Sequence, residues 1–279
     1  MEDALVHSAT VHRVTTLTMR MPERLNGWTV PMMAALRAAL AQADADDGTA
    51  AIILTGADPY YSAGVHLGST IQLAHPQTLY DQILSHNQGL FDSFIDVSKP
   101  ILAAVNGPAI GAAVTSATLC DAIVASDRAT FSTPFARLAV PPEGCSSVQF
   151  ERMMGAQGAA RMLGPQGWVP TGAEAAEVGL ADRVVPHEQL LAAAQEAAEA
   201  WVFAGKARSF RCGATAEKLR EINARESRDL ASAFLGAPFL RSQFHFLRSK
   251  RKWSAAAVFL AMWGTRPLWS RLLDVPAGR

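Results

Sequence analysis

The stretch from Lys99 to Gly155 constrains this chain more than any other, and its centre is Asn106-Gly107-Pro108-Ala109-Ile110-Gly111-Ala112-Ala113. An apolar run, Ile101 to Val105, enters a Gly-Pro turn and leaves it as small, uncharged residues that continue to Leu119. The pattern predicts a buried strand, a tight turn and the N-terminus of a buried helix. Such a terminus presents unpaired N–H groups and the positive end of the helix dipole, so it suits an oxygen that carries or develops negative charge. The same glycines and alanines also suit plain close packing of a helix. Their spacing matches neither dinucleotide-binding nor P-loop patterns, so both roles stay open.

Composition narrows the class. In 279 residues, 49% hydrophobic, there is material for a sizeable core in one large domain or two small ones. The formal net charge of zero gives no global attraction to nucleic acid or to an anionic membrane. Cys120, Cys145 and Cys212 are odd in number and form no CxxC pair, which argues against a disulfide framework or a zinc site and fits a reducing compartment. No apolar run approaches the roughly 18 residues of a membrane span. The first ten residues lack signal-peptide character and the last lack an SKL address, so a cytoplasmic protein is expected.

Along the chain, Val11 to Met19 is rich in Val and Thr and reads as one strand. Thr29 is placed to N-cap a helix whose buried face is Met32, Met33, Leu36, Leu40 and Ala43. Ala51 to Leu54 reads as a short buried strand. Leu79, Ile83, Leu90, Phe91, Phe94 and Ile95 mark a second amphipathic helix. Short strands follow at Ala122 to Ala125, Ala129 to Phe131 and Val184 to Val185, with helices at Val148 to Met154, Gln157 to Leu163 and His187 to Phe203. Thr171 and Glu174 have capping-box spacing. After Gly205 the pattern turns helical, so residues 1–205 are expected to form the core and residues 206–279 a helical subdomain. The Arg248 to Lys252 cluster is a solvated face, a phosphate contact or a contact to an anionic surface.

Two loops follow strands and present backbone: Ala63-Gly64-Val65 and Gly111-Ala112-Ala113. If they converge, one N–H from each forms an oxyanion hole. The oxygen belongs either to a tetrahedral adduct, which needs a nucleophile, or to an enolate, which needs one well-placed base. The chain has no G-x-S-x-G elbow, although Cys145 beside Ser146 is a candidate nucleophile and His66 a candidate base.

KPILAAVNGPAIGAAVTSATLCDAIVAS, with YSAGVHL upstream, resembles the crotonase superfamily of enoyl-CoA hydratases and isomerases, over roughly residues 10 to 205. STPFARLAVPPEGCSSVQFERMMG is similar to its peroxisomal-type Δ3,Δ2-enoyl-CoA isomerase branch, as is the tail around Ile222 to Ser227 and Phe246 to Lys250. The resemblance implies an α/β fold of repeated ββα units in a spiral, with a C-terminal helical region that assembles trimers or pairs of trimers. It implies an acyl-CoA substrate, coenzyme A entering only as part of it and no separate cofactor or metal. Oxyanion donors would be the N–H groups of Val65 and Ala112, and the base would be Glu143. Ser62, Ala63, Gly64, His66, Leu67, Gly111 and Phe135 would line the acyl-CoA site, and Arg24 would meet CoA phosphates.

The two glutamates that family hydratases use fall here on Thr115 and Phe135, which do not ionise. Between Ile101 and Phe150 the acids are Asp121, in a motif taken as structural, Asp127, in a polar turn, and Glu143. One carboxylate suffices to move a double bond, whereas hydration asks for two acid/base groups. The expected activity is therefore 3-enoyl-CoA isomerisation. The alternatives are a hydratase or another enolate-forming acyl-CoA enzyme, a non-catalytic acyl-CoA-binding scaffold, and a thioester hydrolase using Cys145. The family usually has an acid where this chain has His66, and Gly-Gly-Gly where it has Gly111-Ala112-Ala113.

Overall fold

The computed structural model of the protein describes residues 4–66 and 74–273. Its centre is a six-stranded sheet in the order β1-β2-β3-β4-β6-β8. These strands are β1 (Val6–Val11), β2 (Val14–Met19), β3 (Ala51–Gly56), β4 (Ile101–Val105), β6 (Ala122–Ser126) and β8 (Arg183–Val185). All neighbours pair in parallel except β1 with β2. Parallel strands covered on both faces read as unbroken apolar runs, and every residue of β3 and β4 is buried.

A second, smaller layer runs beside the sheet. It contains β5 (Ala109–Ile110) paired with β7 (Phe131–Ser132), and the single bridges Trp28–Val65, Ser62–Ala109 and Thr130–Thr171. Each pass of the chain thus lays one strand in the large sheet, touches the small layer and returns. The passes stack as a spiral of ββα units.

The helices follow from sequence as expected, with some differences. In α1 (Val30–Ala45) the Thr29 hydroxyl accepts from Met32 N, and the buried face is the one anticipated. α2 (Pro76–Ile95) and the six-residue α3 (Ala112–Ala117) follow β3 and β5. α4 (Phe135–Leu138) is a single turn. α5 (Ser146–Leu163) is interrupted at Gly155, whose φ of +72° breaks it into the two helical pieces its sequence suggests. α6 (Gly172–Glu177) carries the Thr171–Glu174 capping box. α7 (Leu190–Phe203) lays Ala193, Ala194 and Ala198 on the sheet face formed by Val14, Ile53, Leu102 and Val124.

The strand expected from Val11 to Met19 is instead a hairpin. Its turn is His12-Arg13, both with positive φ (49° and 66°), and β1 precedes it. Such turns usually announce themselves by Asn-Gly or Gly, and neither is present here. The C-terminal helices are α8 (Ala216–Phe234), α9 (Ala237–Ser249) and α10 (Trp253–Trp269). α8 lies against α2, contributing Leu219 and Ile222 to the main core. Farther along, its Leu230 and Phe234 join a second apolar cluster with Leu79, Tyr80, Ile83, Phe239 and Phe259. Among the described residues no helix is long and apolar enough to cross a membrane.

Asn26 ties the start of the spiral to the turn after β3. It is fully buried, accepts from Met21 N at 2.9 Å, and donates to Ala57 O at 2.6 Å and Tyr60 O at 2.7 Å. Asn26→Ala removes all three bonds and leaves the buried Met21 N–H without its acceptor, although Tyr60 O keeps Asn106 Nδ2 at 3.3 Å, so unfolding free energy in urea is expected to fall by on the order of 2 kcal/mol; a loss below about 0.5 kcal/mol, typical of an uncritical surface change, contradicts this clamp.

Candidate active site

Val65 and Ala112 sit on successive turns of the spiral. Ile110 N donates to Ser62 O at 3.0 Å and Ser62 N to Pro108 O at 3.3 Å, so the two loops leave their strands side by side. Gly64 makes the closest approach: a Cβ there would stand 2.2 Å from Ile110 O and 3.7 Å from Ala112 N, and its φ is +72°. Glycine alone fits both the space and the backbone angle. Ser62, fully buried, fixes the turn by donating to Asn26 O at 2.7 Å and accepting from Gly64 N at 3.0 Å. Gly111 N donates to Ser132 O at 2.7 Å, which anchors the start of α3. Among the described residues, neither Val65 N–H nor Ala112 N–H has a protein acceptor.

Both residues line one cavity of about 140 Å3 together with Ala63, Gly111, Phe135 and Glu143. The departures from Gly-Gly-Gly separate here. Ala112 is at the cavity wall, whereas Ala113 is packed in the core.

Glu143 arrives on the loop between α4 and α5. Ser146 holds its carbonyl twice, through N–H at 3.2 Å and Oγ at 2.7 Å. Gly144 (φ +63°) presses the turn onto α2 and α3, where a Cβ would come 2.5 Å from the Phe91 ring and 2.6 Å from Thr115 Oγ1. The Glu143 residue is only 7% exposed. Asn87 Nδ2 donates to its Oε2 at 2.5 Å, and Asn87 Oδ1 accepts from Ser227 Oγ at 2.8 Å. Burial pushes the Glu143 carboxyl up to about 7, the Asn87 bond opposes this, and the charge of Glu226 adds to it. Glu226 is itself buried and spans the start of α5, accepting from Cys145 N at 2.6 Å and Ser147 N at 3.0 Å. There the helix dipole favours its negative charge, although burial still pushes its carboxyl above the usual range.

The expected site residues divide clearly. Glu143, Val65, Ala112, Ala63, Gly111 and Phe135 converge on the cavity. Ser62 and Gly64 shape the loop from behind it. His66 is exposed, with its N–H on Trp28 O at 3.0 Å, and does not line the cavity. Arg24 is exposed in the turn Pro22–Arg24, and Leu67 lies outside the described residues. Thr115 is buried and turned back on Ala112 O at 3.3 Å. Cys145 is no nucleophile here: its thiol is buried against Leu219 O at 3.3 Å, off the cavity, and burial raises it far above the ordinary thiol range. Asp121 is structural, accepting from Ile101 N, Ser209 N and Arg208.

Asn87, Ser227 and the capping role of Glu226 were not anticipated. Asn87 had a signal, since it stands between Ile83 and Leu90 on the apolar stripe of α2, where a polar side chain needs a buried partner.

The enoyl-CoA hydratase/isomerase family profile matches residues 9–235. Rat enoyl-CoA delta isomerase 2 is 41% identical over 151 residues, 54% of this chain but only 38% of the rat protein, so the chain spans well under half of that relative. A probable enoyl-CoA hydratase of Rhizobium meliloti is 34% identical over 187 residues, covering 67% of this chain and 71% of that one. The crystal structure of an enoyl-CoA hydratase/isomerase from Pseudoalteromonas atlantica T6c superposes with a TM-score of 0.74 at 26% identity, over 88% of this chain and 97% of the other. The fold is the crotonase fold, and the chain belongs to the enoyl-CoA hydratase/isomerase family.

The raised Glu143 carboxyl has a consequence for stability. Its folded value of about 7 lies above the 4.5 of an unperturbed glutamate, so the folded state holds this proton more tightly. The associated stabilisation is complete below pH 4.5 and is lost as pH rises through 7. Against Glu143→Gln, which stays neutral, wild-type unfolding free energy is expected to drop by about 3 kcal/mol between pH 4.5 and 8. Parallel curves for the two proteins in urea melts across that range would contradict a raised Glu143.

Proposed function

We propose that the protein is a Δ3,Δ2-enoyl-CoA isomerase in which Glu143 carries the proton. The observation that supports this most is that, among the described residues, Glu143 is the single carboxylate lining the cavity that also holds Val65 and Ala112. In the proposed reaction, the thioester oxygen of a 3-enoyl-CoA accepts from the N–H groups of Val65 and Ala112. The ionised Glu143 takes a proton from C2. The C2–H electron pair forms the C1–C2 double bond of a dienolate, and the negative charge rests on the thioester oxygen between the two donors. Glu143 then returns the proton at C4, which leaves the double bond between C2 and C3.

The same residue must be charged to start and protonated to finish, so a carboxyl near 7 suits both halves. Asn87 holds that carboxylate in place through its own bond to Ser227. Coenzyme A enters only as part of the substrate, and the chain needs no further cofactor for these steps. Hydration is disfavoured by the positions of Thr115 and Phe135, one packed away and one unable to ionise. Residues 206–279 are proposed as the part that assembles copies into a homotrimer or a pair of trimers, because α10 and the turn after it leave Trp253, Leu260, Leu268 and Leu272 exposed.

The test is incubation of wild type and Glu143→Gln with 3-hexenoyl-CoA and 2-hexenoyl-CoA. Wild type should isomerise the first, and the variant should lose about 10^2- to 10^4-fold in kcat, the usual weight of a general base. The wild-type rate should rise with pH and level off above about 7, as the base ionises. Full activity in the variant overturns the role of Glu143. Hydration of 2-hexenoyl-CoA without isomerisation favours the hydratase, binding without turnover the scaffold, and release of free CoA a hydrolase.

A further inference from the structure

A second cavity, of about 190 Å3, lies between α2, the end of α8 and α10, walled by Pro76, Leu79, Leu235, Met262, Thr265 and Trp269. It has no part in the chemistry above. Its two polar wall groups are already engaged, Thr265 Oγ1 on Ala261 O at 2.6 Å and Trp269 Nε1 on Met262 O at 3.0 Å. What the wall offers an occupant is therefore apolar.

The two cavities use alternate residues of the same helix pair. On α2, Ile83 lines the reaction cavity and Leu79 the second, four residues and about 6 Å of helix rise apart. On the α8 side, Phe234 lines the first and Leu235 the second. The two walls share no residue and stand back to back, with Leu79, Ile83, Phe234, Leu235 and Met262 packed in one apolar cluster. Phe234 is not free to swing out of that cluster, because its ring stacks on Phe239 at 4.4 Å and 5°, and Phe239 meets Phe259 edge-on at 6.3 Å.

We propose that the second cavity is a distal compartment for the acyl chain, closed off by Phe234, and that Phe234 sets the chain length this protein accepts. The proposal rests on the acyl-CoA reading of the first cavity. With Phe234 in place the chain ends at Ile83 and Phe234, so short acyl groups fit and longer ones find no added contact. Removing the ring joins the cavities, and an apolar tail gains the walls of Leu79, Leu235 and Met262.

The test uses saturated hexanoyl-CoA and dodecanoyl-CoA, titrated by calorimetry into wild type, Phe234→Ala and Phe234→Leu. Neither ligand can be isomerised, so a failed isomerase assay leaves this readout standing. Wild type should bind dodecanoyl-CoA no more tightly than hexanoyl-CoA. In Phe234→Ala the ratio of the two dissociation constants should move toward the long chain by at least about tenfold, the low end of what one methylene discriminates in an apolar pocket. Phe234→Leu should move it in the same direction and guards against misfolding of the larger deletion. Adding Thr265→Phe to either variant should fill the distal compartment and cancel the gain. An unchanged ratio in a folded variant that still binds hexanoyl-CoA overturns the partition alone. If wild type binds neither ligand, the acyl-CoA reading falls and the compartment with it.

Discussion

The backbone pairing of Ser62 with the segment Pro108–Ile110 joins two successive turns of the spiral, and the site depends on it. It is a short contact, one bridge and two hydrogen bonds. Yet it fixes the height at which the two loops emerge, and hence where the N–H groups of Val65 and Ala112 stand relative to each other. Around it are residues that tolerate no added bulk or no lost bond. Gly64 leaves no room for a Cβ beside the Ile110 carbonyl, Ser62 is buried and bonded on two sides, and Asn26 holds Met21 N together with Ala57 O and Tyr60 O of the loop after β3. In the proposed reaction, donors held this way need no rearrangement when charge develops on the thioester oxygen.

The second constraint is electrostatic. A carboxylate loses solvation when it is buried, and Glu143 has one amide to compensate for it. Its neighbour Glu226 is buried too, but two backbone N–H groups at a helix start share its charge. The two acids are thus treated differently by their surroundings. Glu226 holds the α5 terminus in place, and burial pushes the Glu143 carboxyl at the cavity wall up to about 7. The chain Glu143–Asn87–Ser227 links the loop before α5 to α2 and α8, so the helices after residue 205 help to orient the Glu143 side chain.

Local pattern carried much of this in the sequence. The Thr29 cap, the five buried positions of α1 and the Thr171 box involve residues within a few positions of each other, and they appear where expected. The Gly107-to-Ala113 turn was legible for the same reason, and the motif around Glu143 singled out a residue that the structure places on the cavity wall. The hairpin at His12-Arg13 was not, because its positive φ values fall on residues that rarely adopt them. Asn87 stood out on an apolar stripe, but its partners did not, since Glu143 lies 56 residues away and Ser227 140. Phe234 gave no sign of the partition proposed for it, since a buried aromatic on a helix looks the same in sequence whatever cavity it faces. The loop glycines could be read as breaks, but which backbone each one approaches is a property of the assembled spiral.

In the proposed reaction one carboxylate takes a proton from C2 and returns it to C4. That transfer is tested most directly by 3-hexenoyl-CoA deuterated at C2, turned over in ordinary water with the product's C4 position read by mass spectrometry and NMR. A single shielded shuttle predicts that a measurable share of the deuterium appears at C4 of the 2-hexenoyl-CoA formed. Product whose C4 hydrogen comes wholly from solvent, even in the first turnovers, would contradict it.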